Sequence, residues 1–174
     1  PVYDVVLTRV DFFDMGLALA RGGIDAFLSG EPFPSLAEDQ GYGTILAYPY
    51  YDDSIGTINA GMIVTRSTIT NRPGEVYQLV RAHVLATRYL TAHTHEWLTD
   101  ASRFGIPLHV LEKAQGNMEL SWDIDEAFVE KTQSLGERMM EMGLIDRHPD
   151  YAALFDLSFV QRVHTELLKK GARE

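Results

Sequence analysis

Ser29, Gly30 and Glu31 stand where an apolar segment gives way to a helix starting near Pro32. A turn of that kind presents backbone N–H groups and the positive end of a helix, an arrangement suited to an anion. Pro32 removes one donor and fits the first helical turn. The same residues also read as a plain helix start, with Glu31 capping its own helix. Further on, residues 48–53 run Tyr-Pro-Tyr-Tyr-Asp-Asp. Tyr50 and Asp52 could give a binding site an aromatic wall and a carboxylate, or the stretch is an exposed connector built from turn-forming Pro and Asp. Asn59 opens the next apolar run. Strand ends facing a crevice are the usual ligand positions in α/β folds, and the alternative for Asn59 is a simple turn amide. Ser29, Gly30, Glu31, Tyr50, Asp52 and Asn59 are therefore the candidate ligand contacts.

Other constellations invite chemistry less well. His93, His95 and Glu96 put three ligand-type residues close together. On a helix, however, only i,i+3 and i,i+4 side chains meet, so His93 and His95 point apart and read as a helix junction. His83 lies in an apolar helical stripe and reads as a partly buried histidine. Met139, Met140 and Met142 are helix core before they are a thioether site. Asp123, Asp125 and Glu126 bracket a helix start, where acids favour the dipole. No carboxylate pair has a base, a nucleophile or a Gly-rich phosphate loop at a telling spacing. No catalytic residue, metal site or cofactor is expected, and the chain reads as a binder rather than an enzyme.

The elements that must position these residues divide the sequence in two. Residues 3–9, 24–28, 44–48 and 59–65 are short, apolar and rich in β-branched side chains, and each reads as a strand. Helical stretches over 11–21 and 33–40 separate the first three, with Gly22-Gly23 and Gly41 as stops. Strands alternating with helices favour parallel pairing, so the expected fold class is α/β, with about four mostly parallel strands. Beyond Arg66 the pattern is helical. Val76, Leu79, Val80, His83, Val84, Thr87 and Leu90 follow the start signal Asn71-Arg72-Pro73. Shorter helices are expected over 94–104 and 107–114, a long one carries Ile124, Phe128, Leu135, Met139 and Met142 up to Gly143, and a final one spans 155–170. Four strands are few for that many helices, since a parallel sheet is covered on both faces. The expectation is a partial fold that lacks an N-terminal portion. The opening Pro1-Val2-Tyr3-Asp4, with no initiator Met before its first apolar run, agrees with that.

Bulk properties bound the function. The chain has 174 residues, 45% hydrophobic and 23% charged, an ordinary globular composition. Nothing approaches the roughly 18 consecutive apolar residues of a membrane span. The formal charge is -10, from 25 acidic against 15 basic residues, and repels phosphate backbones, so no nucleic-acid partner is expected. Cysteine is absent, which removes disulfides and thiolate chemistry.

Asp14-Met15-Gly16-Leu17-Ala18-Leu19-Ala20-Arg21-Gly22-Gly23-Ile24-Asp25-Ala26-Phe27 resembles a signature of ABC-transporter solute-binding proteins of the nitrate, sulfonate and taurine (NMT1/THI5-like) class. Glu31-Pro32-Phe33 is similar to the segment that follows the crossing strand in that class, and Asn71-Arg72-Pro73-Gly74-Glu75-Val76 to one of its helix starts. Glu96-Trp97-Leu98, Gly143-Leu144-Ile145 and Phe155-Asp156 fit its helical tail in order. The resemblance spans nearly the whole chain as that class's C-terminal half. Gly30 departs from the Trp that sulfonate- and taurine-type members often carry, and looks closer to nitrate- and bicarbonate-type members.

The resemblance implies a type II periplasmic-binding-protein-like fold with the ligand in an inter-lobe cleft. Residues 1–29 would form the end of the distal lobe and the second crossing strand, and 30–174 the rest of the lobe shared with an absent N-terminus. It implies the extracytoplasmic solute-binding component of an ABC importer, with a small polar or anionic ligand and a transporter permease as partners. A periplasmic or extracytoplasmic location follows, with a signal peptide expected in the absent portion. Self-association or pairing with the missing half is also expected. The alternatives are an enzyme on the same fold, resembling a pyrimidine-precursor synthase or a desulfinase, and a sensory ligand-binding domain.

Overall fold

The computed structural model describes residues 4–48 and 60–171, the side chains of 170 and 171 excepted. Its elements are helical: α1 (Met15–Ala20), α2 (Phe33–Asp39), α3 (Arg66–Asn71), α4 (Pro73–Ala92), α5 (Thr94–Ser102), α6 (Leu108–Ala114), α7 (Glu126–Glu141), α8 (Tyr151–Leu154) and α9 (Ser158–Gly171). A 3-10 turn over Gln115–Asn117 extends α6. No helix among the described residues is long and apolar enough to cross a membrane.

The expected α/β fold is not observed. Among the described residues there is no strand and hence no parallel sheet. Where they are described, the apolar segments expected as strands form no ladder, and several of their side chains stand in the open: Val6 is 92% exposed, Leu46 90% and Ile63 94%. The reason is physical. Alternating β-branched side chains mark a chain that fits a pleated, half-buried surface, but a strand exists only where a neighbour satisfies its backbone groups. One of these backbone groups bonds to a helix side chain instead, the Ile45 N–H donating to Glu38 Oε1 at 3.2 Å.

The helices follow their sequence signals more closely. Gly22, Gly41 and Gly143, at φ of 68°, 72° and 69°, adopt the left-handed conformation that stops α1, α2 and α7. Asp125 caps α7 by accepting from the Phe128 N–H at 2.8 Å. Asp11 does not cap α1. It accepts from Phe13 N–H at 3.2 Å in a turn ahead of the helix, which starts only at Met15.

Chain contacts separate two units, residues 1–47 with 93–120 and residues 48–92 with 121–174. In the first, α2 packs on α1 and α6, and α5 packs on α6. Its core is Ala37, Leu98, Val110, Leu111 and Ala114, with Ser35 also buried. The small residues Ser35, Ala37 and Ala114 let α2 and α6 approach closely. Phe12 and Phe13 meet Phe33 edge-on, at ring distances of 4.6 and 5.4 Å.

In the second unit α4 packs along α9, and α3 leans on α4. Tyr77, Val84 and Val163 form the centre, against which Val80, Trp122, Phe159 and Leu167 pack. His83 falls on the exposed side of α4 rather than in this stripe. Gly136 of α7 is buried under Tyr151 of α8, whose hydroxyl would collide with any Cβ there.

Candidate functional site

The turn singled out in the sequence lies in the first unit, and its geometry is closed on itself. Ser29, Gly30 and Glu31 are half-buried. The Glu31 carboxylate accepts from Ser35 N–H at 3.2 Å, Ser35 Oγ at 2.9 Å and Asn117 Nδ2 at 3.0 Å. The N–H groups that open α2 are engaged as well. Phe33 donates to Gly30 O at 3.3 Å and Leu36 to Pro32 O at 2.9 Å, while Pro34 has none to give. Glu31 thus caps α2 and ties it to the 3-10 turn beyond α6. What the turn presents is the Ser29 hydroxyl, 3.5 Å from Gly30 O, and the Gly30 backbone. Tyr50, Asp52 and Asn59 lie outside the described residues.

Two further polar contacts continue the α2–α6 seam. Lys113 Nζ donates to Glu38 Oε2 at 2.5 Å, and His109 Nε2 lies 3.0 Å from Asp39 Oδ1. The Lys113 ammonium, helped by the Ile45 N–H, holds the Glu38 carboxyl below its ordinary range. His95 of α5 sits 3.7 Å from Glu112 of α6. His93 is the residue that precedes α5, in keeping with the helix-junction reading. Among the described residues no group of three or more His, Cys, Asp or Glu could hold a metal ion.

The second unit has a denser cluster. Tyr77 Oη of α4 donates to Glu166 Oε2 of α9 at 2.5 Å. Arg81, one turn on, donates to both carboxylate oxygens, from Nε at 3.2 and 3.1 Å and from Nη2 at 3.0 Å. Arg162, one turn before Glu166, lays its guanidinium 3.9 Å from the centre of the Tyr77 ring. The Glu166 carboxylate, by accepting from the phenol, pushes the Tyr77 hydroxyl above its ordinary value, and it raises Arg81 further. A phenol shifted that way is a hydrogen-bond donor, not a base or nucleophile at neutral pH.

None of these partners was singled out in the sequence. The signal was present in part. Tyr77 and Arg81 are four residues apart on one expected helix, and Arg162 and Glu166 are four apart on another, so each pair shares a face. Nothing in the sequence says that the two faces meet. Ser35 was not singled out, and Asn117 carried no signal, because its role depends on where α6 ends.

The sequence profile of the NMT1-like family matches residues 1–101, well over half of the chain. The chain belongs to the NMT1-like family. No curated protein and no solved structure matches it. The matched region of this NMT1-like chain contains the 14–27 stretch, the Ser29-Gly30-Glu31 turn and the whole of α4 with Tyr77 and Arg81, while α9, with Arg162 and Glu166, lies beyond it.

Proposed function

We propose that this NMT1-like chain belongs to the solute-binding component of an ABC importer, working outside the cytoplasm and delivering a small polar or anionic solute to a membrane permease. The observation that carries the reading is the family match over residues 1–101, which takes in the stretch from Asp14 to Phe27 that resembles transporter binding proteins. The geometry of the 29–31 turn adds to it. A half-buried glycine lets a ligand approach backbone closely, and with Glu31 held by Ser35 and Asn117 the contacts fall to Ser29 Oγ and Gly30. Reversible capture needs these contacts to be polar and few, not reactive.

The reading is tested by the melting temperature of the protein in a panel of nitrate, sulfonates, aromatic acids and pyrimidines. A solute that binds the folded state alone raises the melting temperature in a concentration-dependent way. The expected result is such a rise for one class of solute, reduced by Gly30→Trp. No rise with any member of the panel would count against the proposal.

A further inference from the structure

We propose that the open groove on α9 lined by Tyr77, Arg162, Thr165, Glu166 and Lys169 is a site for a doubly charged oxyanion, with a phosphate monoester as the fitting ligand class. The argument starts from charge. Of the lining residues two are cations and one is a carboxylate, and that carboxylate is already bound by Arg81 from α4. Among the described residues, Arg162 and Lys169 have no carboxylate within ion-pair distance. Three cations against one anion leave a local surplus on a chain whose net charge is -10. Small anions therefore collect at this groove in preference to the surrounding surface.

Geometry selects the kind of anion. Tyr77 is held by its bond to Glu166, and the Arg162 guanidinium lies over its ring. A guanidinium over a ring is held by the π face and keeps N–H groups that grip an oxyanion as a fork. Lys169 follows seven residues later, two turns along the same face and about 10 Å up the axis at 1.5 Å per residue. Both side chains are long enough to converge on one ligand between them. Thr165, midway, donates its hydroxyl to Gln161 O at 2.9 Å, so it does not compete for the anion. Two separate positive groups favour a dianion over a monocarboxylate, which has charge for one of them.

Nitrogen-15 NMR of the protein reads the Arg162 side-chain resonance during titration with inorganic phosphate at constant ionic strength, with acetate and chloride as parallel arms. The expected result is a saturable shift with phosphate alone, weakened about tenfold in Arg162→Gln, where a charge-assisted fork is lost, and about threefold in Lys169→Gln, where an exposed point charge is lost. Lys169→Gln leaves the Tyr77 stack intact and so keeps the test valid if Arg162→Gln disturbs the helix pair. Vesicles containing phosphatidic acid form a separate arm. Binding to free phosphate supports a soluble ligand, and binding to vesicles alone overturns the proposal. So does a shift that never saturates, that chloride reproduces, or that survives both substitutions. The 29–31 turn plays no part in this titration, and Gly30→Trp is expected to leave it unchanged.

Discussion

Tyr77 and Glu166, 89 residues apart in sequence, meet at 2.5 Å and fasten α4 to α9. Arg81 doubles the attachment, and Arg162 of α9 lies over the Tyr77 ring. The apolar centre of this unit is small, with Val84 and Val163 as its fully buried side chains. Polar contacts at its rim therefore matter more to how the two helices register than they would over a larger core.

Tyr77→Phe removes the donated bond and leaves the ring under Arg162. The melting temperature is expected to fall by a few degrees at neutral pH. The pH dependence is more diagnostic. A hydroxyl whose folded pKa lies above its unfolded value contributes stability that is complete below about pH 10 and disappears as pH rises through the folded value. Wild-type protein should lose stability in that alkaline window, and Tyr77→Phe should lack that part of the loss. Thermal melts across the window, followed by circular dichroism, check both statements.

Glu38 gives the opposite sign. Its carboxyl is held low by Lys113, so its contribution is complete above the ordinary carboxylate range and fades as pH falls through the lowered value. Glu38→Gln is expected to melt a few degrees below wild type at pH 7, with the gap closing as pH falls through the lowered value. A gap independent of pH would show that the Lys113 contact does not operate through charge.

Gly136 carries a steric prediction. A Cβ there would sit 1.9 Å from Tyr151 Oη and 3.0 Å from Cζ. Helix propensity alone would make Gly136→Ala stabilising by about 1 kcal/mol. Displacing Tyr151 reverses the sign, and overpacking of this kind costs about 1–3 kcal/mol. Chemical denaturation of Gly136→Ala, alone and with Tyr151→Phe, measures it. The second substitution removes the closest collision and is expected to restore part of the loss.

The helices were legible in the sequence because their signals are local. Asn71-Arg72-Pro73 starts α4 within a residue or two, Pro107 immediately precedes α6, and Gly143 ends α7. The short helices α3 and α8 carried weaker signals and were missed as separate elements. The strands failed for the converse reason. Val5, Val6, Leu46 and Ile63 have the right side chains, but strand formation depends on a neighbouring backbone that local composition does not encode. At the candidate site, the capping role of Glu31 was legible from its place just before the helix, though its partner Ser35 was not. Its bond to Asn117, 86 residues away, was not. Contacts of that range follow from how α6 docks on α2, which is a property of packing.

Reversible capture of a small solute at the 29–31 turn, as proposed, is read through the fluorescence of Trp97 and Trp122. Titration with the solute class that raises the melting temperature is predicted to give a saturable change, displaced to higher concentration by Ser29→Ala and by Gly30→Trp. A titration that saturates equally in both variants would place the solute elsewhere on the chain. Flat traces across the whole panel would contradict solute binding by this protein.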